Sequence, residues 1–325
     1  GVLQTLKRNR CRDLFMKWRG KKVGLVLGGG GVRGFSHIGV LKVLEKEGID
    51  IDLIVGTSAG ALIGGAYASG QTPDEIERKI DAYLQSPEFD DSRMKSIGLF
   101  FTQEEKNILK KAQQFIMNRV LFVQAFFKPS ILPSHDFLSL MNYFLPDLDI
   151  KETRIPLRVV STDLISGKKI VFSEGSLRKV VLASCAVPGA VEPVRYGDWL
   201  LADGGITSLV PVHAAREAGA DVVIAVTVDR DLQTNLRIET AKDVVFRAGE
   251  ITPSVLEAAE LADADVIIRP QVGNLHWMDF KRAVDLVKAG ESATRDSLKS
   301  IHASLPIYRR ITRLAGKLFK QSRRV

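Results

Sequence analysis

The sequence predicts an α/β protein built on a mainly parallel sheet, and three stretches carry that expectation. The apolar run Val23-Gly24-Leu25-Val26-Leu27 passes into the glycines Gly28 to Gly31, then into a helical pattern over Phe35 to Glu47. A second run, Ile51-Asp52-Leu53-Ile54-Val55, ends in Gly56-Thr57-Ser58-Ala59-Gly60, and small residues at helical spacing follow through Ala66. A third, Asp221 to Val228, comes after a helical stretch over Pro211 to Ala218. Apolar strands alternating with helices are the signature of βαβ units, whose strands are covered on both faces.

The remaining elements fall into line around these three. Residues 71–85 read as an amphipathic helix with Thr72 as N-cap and Pro73 in its first position. Leu157–Ser161 and Lys168–Phe172 read as strands flanking a turn at Ser166-Gly167, and Ser176–Ser184 as a short helix stopped by Pro188-Gly189. Trp199 to Ala202 reads as a strand that delivers Asp203 into the turn Asp203-Gly204-Gly205. From Ile251 to Ser304 the pattern is amphipathic helix with one short strand over Val266–Arg269.

The stretch from about 86 to 150 differs in character. Nine of the fifteen phenylalanines lie between Phe89 and Phe144, interleaved with lysine and arginine at mostly helical spacing, and no strand stands out. Single aromatic residues at such spacing are ordinarily core. Their concentration in one inserted segment points to an apolar lid or acyl-chain groove.

At 325 residues the chain is long enough for one large domain or two ordinary ones. A hydrophobic content of 45% and a mean hydropathy of +0.04 are those of a globular core. No apolar run approaches the ~18–20 residues that span a bilayer, and no signal-peptide hydrophobic region is evident. Cys11 and Cys185 stand too far apart in sequence to suggest a disulfide framework or a metal site, which makes a reducing, cytoplasmic compartment the expectation.

The net charge of +8 is concentrated at the two ends. Residues 1–22 hold eight Lys/Arg against one acid, and residues 307–325 hold seven and none. The remainder is net acidic, so the high isoelectric point is no mark of a nucleic-acid surface. The expected organisation is a basic amphipathic segment over 1–22, an α/β domain over 23–305 containing the insertion, and a basic amphipathic tail over 306–325. Both ends suit an anionic membrane surface, or equally a solvated tail.

The glycine loop admits three readings. A dinucleotide fingerprint needs an acid about 20 positions on, and Asp50 and Asp52 are available, but the serine turn follows at once. A P-loop needs Gly-Lys-Ser/Thr, which is absent. An oxyanion hole gathers backbone N–H groups beside a nucleophile, and only this reading uses both glycine motifs. Gly-Thr-Ser-Ala-Gly at the end of a strand places Ser58 on a sharp strand-to-helix turn, with Gly56 and Gly60 where a Cβ would crowd it.

A hydrolytic serine needs a base. Of the five histidines, His37 reads as a packing or capping residue, while His135, His276 and His302 lack supporting context. His213 is the one candidate for a Ser-His-Asp triad. No pair has metal-ligand spacing. A carboxylate held in a partly desolvated glycine turn is the alternative base, and Asp203 fits it.

Gly28-Gly29-Gly30-Gly31-Val32-Arg33-Gly34, Gly56 to Gly60 and Asp203-Gly204-Gly205, in this order, resemble the patatin-like phospholipase family. Ser161-Thr162-Asp163 and Ala183-Ser184-Cys185-Ala186-Val187-Pro188-Gly189 extend the likeness over roughly residues 21–230, and the pattern is similar to the bacterial branch related to the neuropathy target esterase catalytic domain. The resemblance implies a three-layer α/β/α sandwich and a serine lipid acyl hydrolase with no catalytic metal or other cofactor. It implies Ser58 as nucleophile, Asp203 as base, and an oxyanion hole from Gly30 and Gly31 with Gly29, the loop being fixed by Arg33. Gly28 stands where plant patatins have aspartate, which fits the bacterial branch. The expected substrate is a phospholipid or another acyl ester, and the expected place is the cytoplasm, peripheral on the inner face of the membrane. A soluble esterase or thioesterase for shorter acyl groups, or a lipid-binding regulatory protein, are the alternatives. A histidine-dependent acyl-carrier transacylase would need His213.

Overall fold

A computed structural model describes residues 21–87, 89, 130–132, 134–228, 238–273 and 282–306. The basic ends and most of the aromatic insertion, with their expected membrane and lid roles, lie outside the described residues.

Strand β1 (Val23–Leu27) is buried along its whole length, and its alternate side chains feed two different cores. Val23, Leu25 and Leu27 enter one core with strand β9 (Val222–Val226), while Val26 enters the other with Val223 and Ala225. An apolar run without a polar face therefore reflects a strand covered on both sides. One face carries helices α1 (Ser36–Lys46), α2 (Ala59–Ala68), α3 (Pro73–Leu84), α4 (Ser134–Phe144), α5 (Leu177–Ser184) and α8 (Ala283–Ser304). The opposite face carries α6 (Val212–Glu217) and the end of α7 (Ala241–Leu261). The result is the expected three-layer sandwich.

The sheet runs β10-β9-β1-β2-β4-β8-β7, with β5 on β4. Strands β10 (Val266–Ile268), β9, β1, β2 (Leu53–Thr57) and the start of β4 (Leu157–Asp163) are mutually parallel. Strands β5 (Lys169–Phe172), β8 (Trp199–Asp203) and β7 (Val194–Tyr196) join by antiparallel pairing. The capping box predicted at Thr72 forms, with Thr72 Oγ1 accepting from Glu75 N at 3.2 Å and Glu75 Oε2 accepting from Thr72 N at 2.7 Å.

The helix expected over Phe35 to Glu47 forms as α1, preceded by a tight 3-10 turn over Gly31–Phe35 in which Gly31 takes φ 59°. Two expectations need correction. The insertion is not wholly helical: β3 (Ser130–Leu132) pairs in parallel with β6 (Gly189–Val191), and three-residue strands are too short to show a period. Helix α7 begins ten residues before Ile251, at a capping box formed by Thr240 and Asp243. Within the described part of the insertion, Phe89, Phe137 and Phe144 are core residues, and Tyr83 meets Phe89 and Phe144 edge-on or tilted at 5.7 and 5.8 Å.

Candidate active site

The site is assembled along one edge of β4. Val159 and Val160 pair with both β2 and β5, while Ser161 and Thr162 pair with both β5 and β8. A strand has only two edges, so β2 and β8 share the one opposite β5. They approach each other end to end: Thr57 of β2 is opposite Val160, and Asp203 of β8 is opposite Ser161. Ser58 and Asp203 follow as neighbours, each 7% exposed.

Ser58 is the one non-glycine residue with positive φ (53°) among the described residues. A backbone in this region costs about 1–3 kcal/mol and persists only when its surroundings hold it. What holds it is Ser184, whose hydroxyl accepts from Ser58 N at 2.8 Å and donates to Val160 O at 2.5 Å. Helix α2 begins at the next residue and directs its positive end toward the serine. Close packing fixes this start. A Cβ on Gly60 would lie 2.0 Å from Leu27 O, and one on Gly56 would lie 2.7 Å from Ala61 N.

Asp203 caps the 3-10 turn Gly204–Ile206, accepting from Gly205 N at 2.7 Å. Gly204 must lack a side chain, since its Cβ would lie 2.3 Å from Val160 O. Burial pushes the Asp203 carboxyl up to about 6, against hydrogen bonds from Ser58 and from the Gly205 N–H that favour the anion. Cys185 abuts the same pair. Burial and the Asp203 charge raise its thiol, and a hydrogen bond with Ser58 opposes them.

The glycine loop lies directly against the elbow, where a Cβ on Gly29 would come 3.3 Å from Ser58 Cβ. The expectation for Gly29 as an oxyanion donor is corrected, because its N–H donates to Leu209 O at 2.9 Å. Gly28 N is likewise engaged, with Val226 O. The N–H groups of Gly30 and Gly31 find no acceptor among the described residues. Arg33 Nε donates to Gly30 O at 3.1 Å, which holds the loop from below.

His37 is fully buried, and its Nε2 donates to Gly28 O at 2.8 Å, so the peptide between Gly28 and Gly29 is pinned from both sides. Burial lowers the imidazole to about 4 and keeps it neutral, with Nδ1 unpartnered. His213 belongs elsewhere: its Nε2 meets Asp263 Oδ2 at 2.8 Å in a largely exposed pair. The triad reading loses its histidine to that carboxylate.

Sequence reading missed Ser184 as the clamp, Cys185 as a neighbour, and the loop after Asp203. Thr57 Oγ1 donates to Ser208 O at 3.0 Å and Gly29 N to Leu209 O, so the Ser208–Leu209 backbone ties elbow and glycine loop together. Buried Glu260 anchors that loop through Ser208 Oγ and through His213 N at 3.2 Å. None of these contacts has a local sequence signal, because each joins segments tens of residues apart or more.

A buried serine on a strained strand-to-helix turn, a carboxylate and a glycine loop meet at one end of the sheet of an α/β protein. The model of the patatin-like phospholipase family matches residues 25–216, and the chain belongs to that family. It is 31% identical over 225 residues to an uncharacterised NTE family protein of Mycobacterium tuberculosis, covering 67% of this chain and 54% of that protein. It is 32% identical over 219 residues to the human patatin-like phospholipase domain-containing protein 6, covering 67% of this chain and 14% of that protein. Lysophospholipase NTE1 of Candida glabrata is 26% identical over 311 residues, 87% of this chain and 16% of that protein. The chain thus spans about half or less of each of these relatives. Among solved structures, VipD from Legionella pneumophila overlays with a TM-score of 0.44 at 16% identity, over 86% of this chain and 67% of that one. No helix among the described residues is long and apolar enough to cross a membrane.

Proposed function

We propose that the chain is a serine hydrolase of lipid acyl esters, of the phospholipase A or lysophospholipase type, working through a Ser58–Asp203 dyad. The observation that carries this reading is the end-to-end meeting of β2 and β8 on β4, which brings Ser58 beside a buried carboxylate.

With a pKa of about 6, Asp203 is roughly nine-tenths ionised at pH 7 and still basic enough to accept a proton. Ser58 Oγ attacks the acyl carbonyl while its proton passes to Asp203. The carbonyl oxygen becomes an oxyanion facing the N–H groups of Gly30 and Gly31, and one such donor is worth ~3–4 kcal/mol in the transition state. Collapse of the intermediate breaks the ester bond, and Asp203 returns the proton to the leaving alcohol or lysolipid. Water then gives its proton to Asp203 and attacks the acyl-Ser58 ester, releasing the fatty acid and restoring the serine.

The test is labelling with a fluorophosphonate probe, together with fatty-acid release from phospholipid, on wild type and Ser58→Ala. Labelling of the wild type alone, with release abolished in the variant, is the expected result. Retained labelling or release in Ser58→Ala sinks the assignment. The family names of the relatives, phospholipase and lysophospholipase, support the substrate class.

A further inference from the structure

Ser161-Thr162-Asp163 has no part in the dyad chemistry, yet Asp163 organises the turn that follows β4 through several hydrogen bonds. Its carboxylate is only 3% exposed, and it accepts hydrogen bonds from Ile165 N (3.2 Å), Leu200 N (3.0 Å), Ser166 N (3.0 Å) and Ser166 Oγ (2.6 Å). Its backbone closes the turn as well, with Gly167 N donating to Asp163 O at 2.8 Å. Turns held by such a side chain normally present polar residues to solvent. This one presents Leu164, 46% exposed, and Ile165, 66% exposed.

The neighbourhood extends the apolar tip. Leu164 N donates to Leu200 O at 2.8 Å, which sets Trp199 beside the turn. Trp199 is 39% exposed, stacked on Tyr196 at 6.5 Å and edge-on to Phe172 at 5.8 Å. Lys168 follows the turn and Arg195 pairs with Leu200 on the neighbouring strand, both exposed, and the Gly197-Asp198 turn adds exposed Asp198. Strand β4 runs parallel to β2, so its C-terminal end extends past the dyad on the same side of the sheet. Strand β4 ends at Asp163, two residues or about 7 Å beyond Ser161, and the turn that holds Leu164 and Ile165 starts there.

We propose that the turn Leu164–Gly167, with Trp199, is a rigid anchor that inserts into an anionic lipid surface and brings the Ser58 mouth to it. The inference rests on the lipid-hydrolase reading for its purpose but not for its geometry. Aliphatic side chains enter the acyl boundary, an indole sits at the headgroup level, and the cations meet lipid phosphate. The Asp163 hydrogen bonds fix the turn beforehand, so little ordering entropy is lost on insertion.

The experiment uses the whole chain and vesicles of phosphatidylcholine with or without phosphatidylglycerol. In sedimentation, the Leu164→Ser/Ile165→Ser double variant loses about tenfold or more in affinity for the anionic vesicles. Its hydrolysis of soluble p-nitrophenyl butyrate stays at the wild-type rate. Wild-type tryptophan emission moves to the blue on vesicle addition, and the part due to the anchor is missing in Trp199→Phe. Unchanged vesicle affinity in the double variant, or a wild type that does not bind, overturns the proposal. Should wild type bind through the turn but hydrolyse no ester, the anchor stands and the hydrolase reading falls.

Discussion

The two parts of the sheet that meet at the site supply different chemistry by different means. On the parallel side, β1 and β2 each end in a glycine turn that leads into a helix, so what they offer is backbone: a strained Ser58, a helix N-terminus, and the N–H groups of Gly30 and Gly31. On the antiparallel side, β8 arrives from the opposite direction and offers one side chain, a carboxylate kept basic by burial. Neither side holds a nucleophile and a base together. Strand β4 joins them, and Ser184 ties the turn after β2 to β4 by bonding Ser58 N and Val160 O.

The sharpest way to break this picture is to disable each side in turn. Ser58→Ala and Asp203→Asn are each expected to lower kcat by about 10⁴-fold, and the double variant to be no worse than either alone. Ester kinetics check it, and losses that multiply would mean the two residues act independently. Removing the bridge comes next. Ser184→Ala should lower kcat by roughly 10–100-fold with little change in KM, since it misplaces a nucleophile already bound to its substrate site. The same change leaves Ser58 N and Val160 O unsatisfied and should lower stability in urea by about 1–3 kcal/mol.

A smaller effect separates the sides through pH. The folded pKa of Asp203, about 6, lies above its unfolded value near 3.9, so its contribution to stability is full at low pH and is lost as pH rises through 6. Asp203→Asn should therefore be more stable than wild type at pH 7, by at most about 3 kcal/mol, and the gain should vanish toward pH 4. His37 has the opposite sign. Its folded value of about 4 lies below 6.5, so its contribution is present above pH 6.5 and is lost as pH falls toward 4. Across pH 4–6 the two slopes oppose each other, and urea titrations of wild type, Asp203→Asn and His37→Gln resolve them. The rate itself should climb tenfold per pH unit below about 6 and level off above, as the ionised carboxylate forms. The least effect is expected at His213, where Ala should change kcat by less than about twofold because its imidazole is held by Asp263. A large loss there would restore the triad.

The same contrast explains what could be read before the structure. The parallel side was legible because its strands are continuous apolar runs and its turns need glycine at fixed offsets, both local features. Asp203 was legible only through Asp203-Gly204-Gly205, a common turn that gains meaning from the order of motifs. The antiparallel side was less so: β7 is three residues long, and Val194-Arg195-Tyr196 shows no more than one alternation. Pairing across β4 cannot be seen in any short stretch, nor can the engagement of Gly29 N with Leu209, 180 residues on. Ser184 sits in a quoted motif, but its part as a clamp depends on the φ of Ser58.

Because β2 and β8 abut along a single edge, the spacing of Ser58 and Asp203 is counted in ladder steps of β4. Adjacent residues of a strand point to opposite faces. Inserting or deleting one residue between Val160 and Ser161 would shift β8 by one step and turn the Asp203 carboxylate to the other face of the sheet. A two-residue change would preserve the parity but separate the pair by about 7 Å. For the proposed dyad, the length of one central strand is thus effectively quantised.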